Sequence, residues 1–356
     1  MNLSSPFAMA PMAGMTDTAF RRLVKRQGGC GLVVTEMVSS EGLVRGIDRT
    51  LEFAEYTEEE RPVSIQIFGG DPAKMAEAAQ IVERMGADAV DINMGCPVPK
   101  IAKHNAGCSL MREPEHAASV IRAMVDAVKI PVTVKMRAGW NDSEINAPTL
   151  ARMAEDAGAA AVAVHGRTAA QSYSGFSDWD LIDRVAGALK IPVFGSGDCV
   201  DAAQMVDRLR TTRVSGLLVG RGALRNPWIF EQADALLAGR APREIGMPER
   251  GQFLIDYIDL LLAERVAEDT GFRHTAPGHD PAAPVDTTPR GRKKWVINKL
   301  RALNSWYTKG FVGGSDLRVA INSAESIDHL RAIIIDFFGV GRTDDPARDL
   351  VLVRHP

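Results

Sequence analysis

The chain has 356 residues, 46% hydrophobic and 24% charged, with a formal net charge of −3 at pH 7. That length exceeds the roughly 250 residues of one α/β barrel and leaves about 100 for a second domain, while the charge gives no global pull toward nucleic acid. No run of 18 apolar residues and no basic-then-apolar leader occurs, and Cys30, Cys96, Cys108 and Cys199 contain no Cys-x-x-Cys pair, so the reading is a cytoplasmic protein with no membrane span, no metal site and no disulfide framework.

Strand-like runs recur in chain order at residues 7–10, 32–35, 62–67, 87–92, 131–135, 161–165, 191–195 and 215–220, with helix-length segments between them. Phe20, Leu23 and Val24 fall at helical spacing between the first two runs. After the third run, Asp71-Pro72 reads as a helix start, the carboxylate capping and proline opening the first turn. Eight strands each followed by a helix predict a closed (β/α)8 TIM barrel rather than an open doubly wound sheet, which stops at five to seven strands.

Near residue 240 the texture changes. Gly239-Arg240-Ala241-Pro242-Arg243 and Gly246-Met247-Pro248 read as a linker, and residues 253–262 predict a buried helix. Residues 270–289 hold four prolines and two glycines with almost no large apolar side chains, which predicts a mobile loop over 270–290. The expected organisation is a barrel at 1–242 followed by a smaller all-helical domain at 243–356.

Barrels carry their chemistry at the carboxyl ends of the strands, and the polar residues there form a coherent set. Gln66, Asn93, Lys135, Arg137 and His165 end the third to sixth strands, and Cys96 stands between Gly95 and Pro97 in a turn after the fourth. A free cysteine is usually a small buried hydrophobe, a terminal lysine a solvated charge and a lone histidine structural; an amide, a cation, an imidazole and a thiol at one mouth suit a flat, hydrogen-bonding ligand. Gly195-Ser196-Gly197-Asp198 and Gly220-Arg221-Gly222-Ala223 follow the last two strands, where barrels commonly bind phosphate. Together they suit a flavin mononucleotide across the mouth.

Five segments, Pro11-Met12-Ala13-Gly14-Met15-Thr16-Asp17, Asn93-Met94-Gly95-Cys96-Pro97, Lys135-Met136-Arg137-Ala138-Gly139-Trp140, His165-Gly166-Arg167-Thr168 and Gly220-Arg221-Gly222-Ala223, resemble the signature set of the flavin-dependent tRNA-dihydrouridine synthases, most of all the bacterial B-type subgroup. The resemblance covers residues 7–230. It implies that Pro11, Met12, Ala13, Gln66, Lys135 and His165 contact FMN. It further implies that Ser196, Gly197, Asp198, Gly220 and Arg221 form its phosphate end, and that Asn93 and Arg137 address the target uridine. Cys96 matches the family's general acid, giving a proton to C5 of uracil as hydride reaches C6, with NADPH (or NADH) as reductant. The family's usual asparagine is replaced by Ser196, which shortens that contact.

A basic run supplies the expected grip on tRNA. From 290 to 318, Arg290, Arg292, Lys293, Lys294, Lys299, Arg301, Lys309 and Arg318 face one acid, Asp316, and Trp295, Trp306 and Tyr307 among them could stack on bases. Lys293 and Lys294 are the chosen phosphate contacts, in a protein expected to act as a monomer. The competing reading is an FMN barrel acting on a free small molecule, as dihydroorotate dehydrogenases and ene-reductases do; it explains Lys135 and the phosphate loops but not Cys96 beside a basic helical domain.

Overall fold

The computed structural model describes residues 2–102, 105–263 and 289–341. Its strands are β1 (Phe7–Met9), β2 (Leu32–Val34), β3 (Val38–Ser39), β4 (Val63–Phe68), β5 (Ala89–Met94), β6 (Val132–Arg137), β7 (Ala161–His165), β8 (Val193–Ser196) and β9 (Gly216–Val219). All neighbours pair in parallel. β1 bonds to both β2 and β9, and β2 to β4, so eight strands close into a TIM barrel and no open sheet remains. The eight expected strands are these apart from β3, which escaped sequence reading because two residues carry no period; it lies against Ile67 and Phe68 at the end of β4. β5 runs two residues further than expected, so Asn93 is a strand residue and the turn begins at Gly95.

Alternation along each strand sorts side chains into two separate cores. Val90, Ile92 and Met94 of β5 and Val132, Val134 and Met136 of β6 join the large cluster between strands and helices. Ala8, Ala10, Val34, Ala163 and Leu218 form a second, small cluster, and a cavity beside it is lined by Ala8, Leu32, Ser64, Asp91, Thr133 and Phe194. The inward face of β4 to β6 is therefore polar where that of β1, β2 and β9 is apolar, and β7 turns from the apolar Ala163 to His165 at its end. Helix capping follows the sequence: Asp71 accepts from the N–H groups of Ala73 and Lys74 at 2.9 and 3.1 Å, with Pro72 in the first turn.

Helices Met247–Ala263, Pro289–Tyr307, Gly314–Ser323 and Ile327–Phe338 follow the barrel; the rest of the expected mobile loop, up to residue 288, lies outside the described residues. They join the barrel through an aromatic cluster. Phe253 lies against Phe20 and Trp228, and stacks on Tyr307 at 5.8 Å between centroids. Tyr307 is fully buried and donates to the Arg250 carbonyl at 2.9 Å. It is a core residue and not free to stack on a base, because apolar contact on all sides plus one satisfied hydroxyl is the lower-energy use of a tyrosine.

The basic run is also divided by the fold. Arg292 donates to the Leu261 carbonyl, Arg301 to that of Ala324 at 3.1 Å and Arg318 to the Thr308 hydroxyl at 3.0 Å. Lys299 turns back to the barrel, 3.0 Å from the carbonyl of the exposed Gly14, 3.0 Å from Asp17 and 3.6 Å from Glu36, and the three charged side chains are nearly enclosed. Tyr257 donates to the same Asp17 carboxylate at 2.7 Å. Lys293 and Lys294 stay exposed on their helix, and Lys309 lies over the Trp306 ring at 4.2 Å. Lys299→Met leaves two enclosed carboxylates without their counter-charge and is expected to cost about 3 kcal/mol in urea unfolding. Lys293→Met should change stability by less than about 0.5 kcal/mol. Equal midpoints for the two variants would contradict this division.

Candidate functional site

The loop after β5 is held from three sides. The Asn93 side-chain oxygen accepts from the N–H groups of Gly95 and Cys96 at 3.1 and 2.9 Å. Arg137 Nε donates to the Gly95 carbonyl at 2.8 Å, and the Cys108 N–H to the Cys96 carbonyl at 3.1 Å. Gly107, at φ +61°, makes that approach possible, since a Cβ there would stand 2.7 Å from the Cys96 carbonyl oxygen. Cys96 itself is half-buried, and burial pushes its thiol up, against the smaller downward pull of a backbone bond at Val98 and the charges of Arg137 and Lys135. At neutral pH it is protonated.

Lys135 comes from β6 beside this loop; a Cβ on Gly95 would lie 3.8 Å from its Nζ. Burial and the neighbouring Arg137 charge bring its ammonium down to about 8, with Asp91 pulling it up. Among the described residues nothing hydrogen-bonds or ion-pairs with that ammonium. Gln66 and Asn93 stand next to it, Asn93 Nδ2 donating to Gln66 Oε1 at 2.7 Å and Gln66 Nε2 to Asp91 at 2.7 Å. The sequence run that reads as an apolar strand is in fact alternating, with Asp91 and Asn93 turned inward.

His165, at the end of β7, is buried, and burial with the charges of Lys135, Arg137, Arg167 and Arg221 drives its imidazole down to about 2. It is neutral. Arg167 Nη1 approaches His165 Nε2 at 3.4 Å; a guanidinium only donates, so Nε2 carries the lone pair and Nδ1 the proton. Arg167 also fixes the next loop, donating to the carbonyls of Ser174 and Gly175 at 3.0 and 2.6 Å and to Asp198 at 2.7 Å. That loop carries Tyr173 over Arg221 at 4.9 Å and near Arg137 at 5.8 Å. Arg167 and Tyr173 carried no role in the sequence reading; the first lay inside a quoted motif, and the second gave no signal.

The two glycine loops meet the β1 loop. Gly197 adopts φ +118°, and a Cβ there would strike Ser177 Oγ at 2.4 Å and His165 Cδ2 at 2.9 Å. The carbonyl of Ser196 accepts from Ser177 Oγ at 3.1 Å, and Asp198 is taken up by Arg167, the Ser177 N–H at 2.7 Å and Arg221 at 3.5 Å. A Cβ on Gly220 would lie 3.2 Å from Met12 Sδ, which brings the Pro11-Met12-Ala13 turn beside the last strand. Met12 accepts from the N–H groups of Met15 and Thr16, both at 3.0 Å, and Glu36 accepts from the Gly14 N–H at 2.5 Å. Cys96, Asn93, Gln66, Lys135, Arg137 and His165 thus share one mouth with both glycine loops, while Lys293 and Lys294 stand on the separate helix Pro289–Tyr307. An enclosed ammonium without a partner, facing small inward residues and a neutral imidazole, fits a planar, electron-rich group such as the flavin; the donor set offers no comparable fit for a metal.

The dihydrouridine synthase family profile matches residues 8–281. The chain is 36% identical over 339 residues to "Probable tRNA-dihydrouridine synthase" of Rickettsia bellii, covering 95% of this chain and 96% of that one. It is 37% identical to "tRNA-dihydrouridine synthase B" of Xanthomonas axonopodis pv. citri, covering 93% and 92% of the two chains. With the corresponding protein of Pseudomonas aeruginosa the identity is 40%, over 72% and 77%.

The enclosure of Cys96 sets a measurable thiol titration. Its alkylation by iodoacetamide should reach half its maximal rate above the ordinary cysteine value of about 8.5, and Lys135→Met, which removes a cation favouring the thiolate, should move that midpoint higher. A rate already at its plateau at pH 8 would contradict the assignment.

Proposed function

We propose, from the premise that the chain belongs to the dihydrouridine synthase family and is an oxidoreductase, that it reduces the C5–C6 double bond of uridines in the D arm of tRNA, with FMN bound at the mouth and NADPH or NADH as reductant. The observation that carries this reading is the meeting of a protonated thiol with a partnerless ammonium at the open end of the barrel. When bound, reduced FMN supplies a hydride equivalent to C6 of the uracil ring. Cys96 Sγ–H gives the proton that C5 then requires, and burial favours the thiol form at neutral pH.

The remaining side chains bind and orient. Lys135 offers its ammonium to the electron-rich edge of the isoalloxazine, where a fixed charge in an enclosed site is stronger than in water. His165, neutral, serves as a hydrogen-bonding group and not as an acid. Gln66 and the Pro11-Met12-Ala13 turn line the same ligand. Gly197, Gly220 and Arg221 hold its phosphate, with Ser196 and Asp198 shaping that end; Asp198 acts mainly by aligning Arg167 and Arg221. Asn93 and Arg137 address the uridine from the side of the thiol.

Residues 1–242 are the catalytic unit in this reading and 243–356 the tRNA-binding unit, Lys293 and Lys294 being cations available for phosphate. A base stacked within folded RNA cannot lie flat on a flavin, so the target uridine must be flipped out of its stack. The protein acts in the cytoplasm as a monomer, without metal. The competing reading, an FMN barrel oxidising or reducing a free small molecule, lacks a use for the thiol.

Mass mapping of dihydrouridine in tRNA from cells lacking the protein tests the reading. The wild-type gene should restore the modification, and Cys96→Ala should lower the rate by about 100-fold or more. Turnover of free uracil or an enone at least as fast as that of tRNA would favour the small-molecule alternative. Lys293→Gln with Lys294→Gln should weaken tRNA binding and reduce the slope of log affinity against log salt, by up to about 1.8 if both contact phosphate; an unchanged slope would remove these lysines from the interface.

A further inference from the structure

We propose that Asp91 is a positioning residue whose acceptor oxygen, acting through Gln66, fixes the direction in which the Asn93 amide faces the reacting ring. This deepens the function proposed above and rests on it. Asp91 lies one inward position below Asn93 on β5, opposite Thr133 of β6, and touches neither the mouth loop nor Cys96.

The direction of every bond in the chain of contacts is forced. The N–H groups of Gly95 and Cys96 can only donate, so the atom of Asn93 that meets both is its oxygen. Its nitrogen must then donate to Gln66 Oε1 at 2.7 Å, which leaves Gln66 Nε2 to donate to Asp91 Oδ2 at 2.7 Å. Asp91 ends the chain as an acceptor on both sides, taking the Thr133 hydroxyl at 2.5 Å on Oδ1. Gln66 is fully buried, and Asp91 and Asn93 are 6% and 7% exposed, so water is a poor substitute for any member. Turning either amide over would set nitrogen against nitrogen or oxygen against oxygen.

The consequence appears at the mouth. Each amide keeps one uncommitted N–H, that of Asn93 having only the weak Met37 sulfur contact at 3.7 Å. This side of the site therefore offers donors. Donors suit a ring that presents a carbonyl oxygen, as uracil does at C4, and oppose the exocyclic amine that cytosine carries there. The same Asn93 oxygen orders the two N–H groups that shape the thiol loop, so a misdirected amide disturbs acid and substrate together.

The test compares Asp91→Asn with Asp91→Leu in the full-length, FMN-loaded protein, using NADPH and tRNA from cells lacking the modification. Asparagine can still offer its oxygen to Gln66 and its amide to the Thr133 oxygen; leucine removes the acceptor. Asp91→Leu is expected to lower kcat about 100-fold, the scale of a misplacement near 1 Å, with KM for tRNA little changed. Asp91→Asn should recover kcat to within about 3-fold of wild type, less than 1 kcal/mol of barrel-mouth disturbance by the rate relation. Wild-type kcat in the leucine variant, or equal losses in both, would overturn the proposal. A second readout is independent of turnover and of how the leucine variant folds: the uncatalysed hydrogen exchange of the Asn93 and Gln66 side-chain amides, followed by NMR in the wild-type protein and Asp91→Asn. Slow exchange at the shared protons is expected in both, and free-amide rates in the wild type would overturn the chain. A wild-type protein inactive on tRNA but with slow exchange would instead sink the functional reading alone.

Discussion

Inside a closed eight-stranded barrel a polar side chain must find its partner among the other inward residues. That constraint governs the upper half of this molecule. β4, β5 and β6 turn Gln66, Asp91, Asn93 and Thr133 toward one another, and three direct bonds join them. The loop that carries Cys96 is an extension of the same network, because its first two N–H groups close on Asn93. The inward groups left without a partner among the described residues include the Ser64 hydroxyl of β4 and, beside the thiol loop, the Lys135 ammonium. Leaving a buried charge unpaired is costly, and a site at which the fold tolerates that cost is a site built around something else.

The helical region contributes to the same mouth from outside. Lys299 and Tyr257 both reach the turn after β1, and Glu36 holds the Gly14 N–H from the far side. The turn that presents Pro11, Met12 and Ala13 is thus clasped between the end of β2 and two helices whose contacts to it span 240 and 285 residues of sequence. A charge run that reads as one RNA surface is two things: cations committed to architecture, such as Lys299 and Arg301, and cations left at the surface, such as Lys293 and Lys294. Formal charge per residue does not distinguish them, whereas the helical face on which each stands does.

How much was legible follows from what leaves a periodic trace. The eight barrel strands and the capped helix after Asp71 are apolar patterns with punctuation, and they sit within two or three residues of where the pattern puts them, whereas the helix expected from Phe253 begins at Met247, inside the stretch read as linker, because Pro248 opens its first turn. The position of Cys96 after a strand was equally plain. Contacts that depend on the closure of the barrel left no local mark: Arg167 on His165 and Asp198, Tyr173 between Arg137 and Arg221, and Glu36 on Gly14. Tyr307 shows the opposite error, since an aromatic among cations looks like a nucleotide platform until its burial against Phe253 is seen. Asp91 was readable in principle, because Val90, Ile92 and Met94 alternate with it and with Asn93, but a predominantly apolar stretch hides a two-residue period.

The protonation states at the mouth bear on the roles proposed for these residues. Burial and the surplus of positive charge act in the same direction on His165 and Lys135, taking the imidazole to about 2 and the ammonium to about 8. For Cys96 they act in opposite directions, and burial wins. At neutral pH the histidine therefore has no proton to give beyond its ordinary N–H, and its place beside Arg167 fixes which nitrogen donates. Lys135 remains mostly charged and supplies field strength. In the proposed reaction the Cys96 thiol is the neutral acid, and its conjugate base would form near two cations, Arg137 and Lys135, which favour the thiolate. An enclosed thiol with cations at hand is slow to ionise in the resting site and yet has its developing charge met, which are the two properties a proton donor to a carbon atom needs.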